Sequence, residues 1–421
     1  MFLTLVKSIG SEIVIFQSIF YFLRLLFPFA GEALNLCDLL RFFLFGKEIK
    51  MDALYMQRAL ELAQKGIGRV HPNPMVGAVL VKDHRIIGEG YHKKCGEAHA
   101  EVNAIAAASE DVSGATIYVT LEPCSHQGRT PPCADLLIEK GIARAVVGSL
   151  DPNPLVAGRG IRKMQDAGIN VSVGVLEPEC RKLNEVFFHY ITAKHPYVVM
   201  KTAMSLDGKI ATVSGQSQWI TGEAARADVQ ALRAQYTAIM VGVETILCDD
   251  PRLTCRLEGS ENPIRIIADS KLRIPLDAAV LQNQADNPTY LATTDQSPSE
   301  KRRVLEQLGA KVLICRQRDG KVDLTDLMEQ LGCAGIDSLL LEGGSTLNGA
   351  ALEQGIVQKV IAYIAPLLIG GANAKTPIGG PGISDLSKAP RLTIDRIERY
   401  DEDIKIIAYW KEMMTDVYRH C

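Results

Sequence analysis

The chain has 421 residues, of which 47% are hydrophobic, and it carries 46 Lys and Arg against 49 Asp and Glu. This length and apolar content support two or three domains with real cores and exclude a disordered or fibrous chain. A net charge of −3 gives no overall electrostatic footing on polyanions, so nucleic acid is not an expected partner. Ten cysteines, irregularly spaced, are too sparse for a disulfide framework and fit a reducing, cytoplasmic setting with one metal site.

Residues 1–50 differ in kind from the rest. The run IVIFQSIFYFL is apolar but broken by Gln17 and Ser18, and Arg24 follows at once. It falls short of the roughly twenty apolar residues of a membrane span, and no small-residue cleavage site follows the start. The segment reads as an extension: an upstream start, a membrane-associating or targeting segment, or an extra helix pair. The first is favoured, and no membrane partner is expected.

From Met51, MDALYMQRALELAQKG places Leu54, Ala59, Leu62 and Ala63 at helical spacing, with Gly66 to stop the helix, so the folded part is expected to start there. Strand and helix signals then alternate. VGAVLV, a turn at Lys82-Asp83 and RIIGEGY precede a helix carrying HAEVNAIAAA. ATIYVTLEP, a helix from Ala134, ARAVVGSL, a helix near residues 159–167 and VSVGVL follow. A break at His195-Pro196 opens a second series. It reads YVVMKTAMS as strand, ARADVQALRAQ as helix, AIMVGVETIL as strand and turn, and IRIIAD, SLLLEGG and KVIAYIAPLLIG as strands. Strands interleaved with helices twice over predict two α/β domains, residues 51–195 and 196–415, with mostly covered sheets.

His99-Ala100-Glu101 is followed by Pro123-Cys124 and Pro132-Cys133. Imidazole and two thiolates suit zinc, and three protein ligands with one open position is the catalytic arrangement. Glu101 could then take a proton from an attacking water and return it to a leaving amine. The spacing departs from the H-x-E, P-C-x-x-C signature of zinc nucleobase deaminases, because eight residues, SHQGRTPP, separate Cys124 from Cys133. A structural site, with Cys95 or His126 as fourth ligand, is the alternative. His126 and Arg129 between the cysteines suit an anionic substrate tail.

The second half has no metal motif and no obvious nucleophile. Around Leu339 to Leu347 an apolar strand ends at Glu342, two glycines allow close backbone approach, and Ser345 or Thr346 can cap a following helix whose free amides suit a pyrophosphate. The pattern is not G-x-G-x-x-G, which argues against a Rossmann domain. Lys201, on a strand, reads by itself as a solvated end. Lys271 and Arg273 could favour the extra phosphate of NADPH on charge alone.

HPNPMVGAVLV, GEAHAEVNA, TLEPCSHQGRTPPC and SLDPNP, in this order, resemble the deaminase half of the bifunctional riboflavin-biosynthesis deaminase/reductases. MKTAMSLDGKIA with SQWIT, VGVETILCDDPRLTCR, ADSKLRIP and LLLEGGSTLNGAAL resemble their reductase half, so the likeness runs from Met51 to about Trp410. The resemblance implies a cytidine-deaminase-like zinc domain followed by a dihydrofolate-reductase-like α/β domain. The first would hydrolyse the amino group of a diaminopyrimidinone ribosyl phosphate, and the second would reduce the ribosyl chain to ribityl with NADPH. It implies one Zn2+ on His99, Cys124 and Cys133, catalysis by Glu101, and a pyrimidine ribosyl phosphate among Asn73, His92, His126, Arg129, Asp151 and Asn153. NADPH would lie along Ala203, Trp219, Thr245, Asp249, Ser270, Gly344, Ser345, Thr346, Leu347, Asn348, Gly349 and Ala350. Ser217, Arg233, Leu253, Arg256 and Glu342 would hold the second substrate, the arginines on its phosphate, with Lys201 or Asp249 stabilising or protonating the opening ribose.

A homo-oligomer is left open. Three rivals are weaker. An RNA deaminase needs a basic, aromatic-lined groove, which the charge balance and an aromatic content of 6% do not supply. A zinc-stabilised nucleotide-binding module has no use for Glu101. A deaminase with an inactive reductase conflicts with the intact reductase segments.

Overall fold

Runs of β-branched and aliphatic residues that are buried along their whole length set the frame, as expected for strands covered on both faces. In the computed structural model, residues 36–125, 131–153 and 156–411 are described. The chain divides into two compact units, Met1–Leu54 and Tyr55–Cys421. Helix α1 spans Leu36–Gln64. It therefore passes through Met51, where the sequence placed a start, because Lys47, Glu48, Lys50 and Met51 are good helix formers and neither Gly nor Pro interrupts KEIKMD. Tyr55, Met56, Ala59, Leu60, Leu62 and Ala63 are buried, whereas Leu54, expected on the same stripe, is 59% exposed. No described helix is long and apolar enough to cross a membrane.

The first sheet has five strands in the order β2-β1-β3-β4-β5. These are β1 (Gly77–Lys82), β2 (Arg85–Tyr91), β3 (Thr116–Leu121), β4 (Arg144–Ser149) and β5 (Asn170–Val173). The β1–β2 and β1–β3 pairs are antiparallel, and β3, β4 and β5 run parallel. Helices α2 (Ala100–Ala106), α3 (Cys133–Glu139) and α4 (Arg159–Asp166) form the crossovers, and the core joins Ala78, Leu80, Ile117 and Val119 to Ala100, Ala104, Leu137 and Met164. Two helices that the sequence reading did not delineate, α5 (Glu177–Leu183) and α6 (Glu185–Ala193), lead to the second sheet.

That sheet has nine strands, β10-β9-β8-β7-β13-β6-β14-β16-β15. From β10 to β14 neighbours are parallel, and β16 and β15 add an antiparallel edge. In chain order they are β6 (Tyr197–Ser205), α7 (Glu223–Gln235), β7 (Ala238–Gly242), α8 (Val243–Asp249), β8 (Ile264–Ala268), β9 (Thr289–Thr294), α9 (Ser299–Gln307) and β10 (Lys311–Cys315). The short hairpin β11 (Gln317–Arg318) and β12 (Lys321–Val322) follows, then α10 (Leu324–Cys333), β13 (Ser338–Leu341), α11 (Ser345–Glu353), β14 (Lys359–Ala365), β15 (Leu392–Tyr400) and β16 (Asp403–Trp410). The turn expected after β7 is helix α8, and the strand expected through KVIAYIAPLLIG stops at Ala365. Apolar clusters cover both faces, one around Met200, Met240 and Leu341, the others around Ile239, Ile267 and Leu291 and around Val199, Leu340 and Tyr363.

The two sheets meet through polar pairs as well as packing. His71 Nδ1 lies 2.6 Å from Asp337 Oδ2, and Nε2 lies 2.8 Å from the Gln235 carbonyl. Both ring nitrogens thus face acceptors, the arrangement of an imidazolium. Asp337 also accepts from the Thr237 and Ser338 hydroxyls. Lys359 meets Glu185 at 2.7 Å, and Glu185 also accepts from Tyr197 and Tyr409. Lys182 meets Asp395 at 2.5 Å.

Burial opposes a charge on His71, but the Asp337 carboxylate overcomes it and raises the imidazole above its ordinary value. A raised folded-state value contributes stability that is full below the unfolded value, about 6.5, and is lost as pH rises through the folded one. His71→Gln should therefore lower stability by about 1.5–3 kcal/mol on the acid side of that window and flatten the pH dependence of the melting temperature across it. Calorimetry of both proteins between about pH 6 and 8 checks this, and parallel profiles would remove His71 from the linkage.

Candidate active sites

The first site is assembled where α2 and α3 begin. A Cβ at Gly90 on β2 would be driven into the backbone of Ala100 and Ala104, so the absence of a side chain lets helix and strand touch main chain to main chain. That contact holds the start of α2, with His99 in extended conformation as its N-cap, at the edge of the sheet. Cys124 lies three residues past the end of β3, and Cys133 is the first residue of α3. The Cys133 amide donates to Cys124 Sγ at 3.3 Å, and the Ala134 amide to the Cys124 carbonyl at 3.1 Å.

His99 Nδ1 is 3.3 Å from Cys133 Sγ and 3.6 Å from Cys124 Sγ, and the three ligand atoms lie within 4.8 Å of one another. A tetrahedral zinc with Zn–N of about 2.0 Å and Zn–S of about 2.3 Å holds nitrogen and sulfur roughly 3.5 Å apart. The donor set and its spacing fit that ion. Among the described residues no fourth ligand joins the group, and Cys95 is exposed outside it. A hydrogen bond from the Cys133 thiol holds Cys124 far below the ordinary thiol range, with burial opposing, while the same bond and burial push Cys133 up. Glu101 is buried, and burial first, then the Cys124 sulfur, raises its carboxyl. It sits beside the sulfurs without being one of the three ligands.

Asn73 and His92 come together, with Asn73 Nδ2 3.3 Å from His92 Nε2 and His92 Nδ1 3.2 Å from the Ala98 carbonyl. Burial lowers His92, consistent with a neutral ring that donates to Ala98 and accepts from the amide. Its ring stands edge-on to His99 at 5.5 Å. Asn103, which sequence reasoning missed, donates to the Tyr91 and Ala98 carbonyls and fixes the same turn. The Asn153 amide donates to Asp151 Oδ1 at 2.8 Å. His126 and Arg129 lie outside the described residues. Glu122, also missed, is a buried carboxylate that accepts four backbone amides.

The second site is a cleft of about 240 Å³ at the carboxyl ends of β6 and β13 and the start of α11. Lys201, Ala203, Ser217, Thr245, Asp249, Glu342, Gly343, Gly344 and Asn348 line it, together with Thr202, Ile210 and Pro377, which the sequence did not single out. Arg233 grips Glu342 with two parallel bonds, Nε–Oε1 3.0 Å and Nη2–Oε2 2.9 Å, and gives Nη1 to the Thr254 carbonyl. Its bidentate face is thus turned to Glu342, where the sequence reading assigned it to a phosphate. Burial opposes ionisation of Glu342, but Lys201 and Arg233 hold it down at about 2. Burial lowers Lys201, with Glu342 opposing and Arg233 reinforcing. Lys201 is half-buried, 5.8 Å from the Tyr363 ring centre, and so is not a solvated strand end.

Gly344, in extended conformation, is the N-cap of α11, and no side chain caps it, so Ser345 and Thr346 are the first helical residues and not the caps. The amides of that first turn have no intrahelical acceptor. Asn348 is buried and donates to the Gly343 and Pro377 carbonyls, and Gly349 abuts Gly379. Leu347 and Ala350 pack on the core. The remaining expected residues are not in the cleft wall. Trp219 is 64% exposed with the Arg226 guanidinium 4.7 Å from its ring, Leu253 is buried, and Arg256 is exposed. The Ser270 hydroxyl accepts from the Val322 amide. Arg273 pairs with Glu244 at 2.6 Å.

The family described as the cytidine and deoxycytidylate deaminase zinc-binding region matches residues 49–149, and the RibD C-terminal domain matches residues 196–406. Over 353 residues the chain is 55% identical to riboflavin biosynthesis protein RibD of Actinobacillus pleuropneumoniae, covering 84% of this chain and 94% of that protein. Over 366 residues it is 44% identical to RibD of Escherichia coli (strain K12), covering 84% and 98%. The solved structure of Acinetobacter baumannii RibD, form 1, superposes with a TM-score of 0.78 at 39% identity over 86% of this chain and 99% of that one.

Removing a ligand removes both a metal contact and part of the folding free energy. Cys124→Ala should therefore leave the purified protein without stoichiometric zinc and lower the melting temperature of the first domain. Elemental analysis and calorimetry check both, and full zinc occupancy in the variant would show that other groups hold the ion.

Proposed function

The chain belongs to the RibD family, a bifunctional deaminase and reductase acting in two consecutive steps of riboflavin biosynthesis, and from that premise we propose the substrates, the reductant and the residue roles. The observation that carries the reading of the first step is the open three-ligand group of His99, Cys124 and Cys133 with buried Glu101 beside it. The substrate is a diaminopyrimidinone ribosyl phosphate, and the second step reduces its ribosyl chain to ribityl with NADPH. The first domain is taken as residues 51–195 and the second as 196–415, working in the cytoplasm.

A zinc ion held by His99, Cys124 and Cys133 would supply Lewis acidity toward an attacking water. Glu101 takes a proton from that water as its oxygen adds to the ring carbon, and returns it to the amino nitrogen. The carbon–nitrogen bond then breaks and ammonia leaves. Burial suits Glu101 to this exchange because it brings the acid and base forms closer in free energy near neutral pH. Asn73 offers amide hydrogen bonds to the ring edge, and neutral His92 orients that amide. Asp151 and Asn153 complete the wall, and His126 and Arg129 are assigned to the phosphate.

In the second site a nicotinamide supplies hydride when bound. The amides at the start of α11 receive its pyrophosphate, where the helix dipole favours an anion. Lys201 faces the charge of Glu342 in a half-buried cleft and donates a proton to the ribose oxygen as the sugar opens, and burial makes it a better acid than a solvated lysine. Arg233 keeps Glu342 ionised and in place, so that Glu342 can orient both Lys201 and the sugar. Arg256 remains assigned to the substrate phosphate. The choice of NADPH over NADH rests on the family likeness, because Arg273 is engaged by Glu244.

The two chemistries share no group, so a crossed assay separates them. Glu101→Gln should keep zinc and lower ammonia release by about a hundredfold to ten-thousandfold while NADPH oxidation with the deaminated pyrimidine stays intact. Lys201→Ala should do the converse. Ammonia release unchanged in zinc-loaded Glu101→Gln would remove Glu101 from the proton transfer, and loss of both activities in one folded, zinc-bound variant would replace two sites by one. Faster oxidation of NADH than of NADPH would overturn the assignment of the reductant.

A further inference from the structure

Glu122 stands between β3 and the Pro123-Cys124 turn, and its carboxylate is spent entirely on backbone. Oε2 accepts the amides of Asp151 at 3.3 Å and Gly158 at 2.9 Å, and Oε1 those of Gly160 at 3.0 Å and Ile161 at 3.4 Å. Its own amide donates to the Ser149 carbonyl at 2.9 Å. Gly158 is the N-cap of α4 and offers no capping side chain, so Glu122 caps that helix from another strand, with its charge at the positive end of the dipole. A Cβ on Gly160 would be driven into the Pro123 carbonyl oxygen, so the start of α4 bears on the residue before the metal ligand.

This grip exceeds what the metal turn needs. Cys124 is already held by the amides of Cys133 and Ala134. Among the described residues Glu122 joins Asp151, just past β4, to Gly158, Gly160 and Ile161 at the start of α4, and the Asn153 carbonyl accepts from the Val156 and Ala157 amides on that same side. We propose that Glu122 is a positioning residue for deamination: by gathering four amides into one buried carboxylate it fixes the segment carrying Asp151 and Asn153 beside the Cys124 turn, and so sets affinity for the pyrimidine phosphate and not the proton transfer or the metal. This rests on the reading of Asp151 and Asn153 as substrate contacts.

Glu122→Gln keeps the volume but presents an NH2 group to one pair of amide donors, so half of the grip is lost. In the full, zinc-loaded chain, ammonia release measured against the diaminopyrimidinone ribosyl phosphate should show KM raised by about tenfold or more, as small displacements of positioning groups produce. Turnover at saturation should stay within about threefold, which marks lost binding and not lost transition-state stabilisation. Zinc should remain at one per chain, reductase activity should be unchanged, and the amides of Gly160 and Ile161 should exchange faster with deuterium. Gly160→Ala, which pushes α4 off Pro123 with the carboxylate intact, should give the same split. A normal KM in both variants, or loss of zinc in Glu122→Gln, overturns the proposal in favour of a purely structural carboxylate. Asn153→Ala is the control for the underlying reading: a raised KM there with a normal KM in Glu122→Gln sinks the anchor alone, whereas a normal KM in Asn153→Ala with a raised KM in Glu122→Gln keeps the anchor and moves the substrate contact to another residue of the segment.

Discussion

Main-chain contact between β2 and α2, possible because Gly90 has no side chain, fixes where the helix that follows β2 begins. Everything at the metal group follows from that position. His99 is the residue before the helix, Glu101 is the second residue inside it, and the two cysteines approach from the end of β3 and the start of α3. A methyl group at Gly90 would lift α2 away from the sheet and separate imidazole from thiols, although none of the ligands would have changed. The chemistry is held by sterics first and by electrostatics second.

The reductase half depends on charge. Glu342 ends a buried strand with Lys201 and Arg233 around it, and the two cations overcome the cost of burying the carboxylate. Parallel strands set this up: Lys201, midway along β6, and Glu342, the residue after β13, directly follow the paired Met200 and Leu341, and Arg233 comes from the last turn of α7. Clefts at the carboxyl ends of parallel strands are where α/β sheets commonly bind ligands. The cleft here is no larger than a small-molecule site requires, and its charged floor can orient a sugar phosphate.

How much of this was legible in the sequence depended on the range of each interaction. His99, Glu101, Cys124 and Cys133 stood out because metal ligation restricts residue type and the motifs are short. Strands β1, β3, β6 and β13 stood out because burial on both faces leaves continuous apolar runs. Strand β15 was missed because it is an edge strand whose exposed positions include charges that break any apolar pattern. The grip of Arg233 on Glu342 joins residues 109 positions apart, and a guanidinium reads equally well as a phosphate ligand until its partner is seen. Glu122 was overlooked for a related reason: a carboxylate that caps a helix from a distant strand leaves no local signature. The capping role expected of Ser345 failed because Gly344 takes the extended conformation itself.

The polar seam between the halves bears on how such a chain could be divided in evolution. Asp337 immediately precedes β13 of the reductase sheet, yet its buried carboxylate is matched by His71 of the deaminase half, and Glu185, from the connecting helices, neutralises Lys359 of β14. A gene fission at Pro196 would expose each half with an orphaned charge and a wetted apolar margin. Monofunctional descendants of a fused ancestor would have to replace those residues before they could stand alone, so the wording of the seam, more than that of either active site, should distinguish fused from separate lineages.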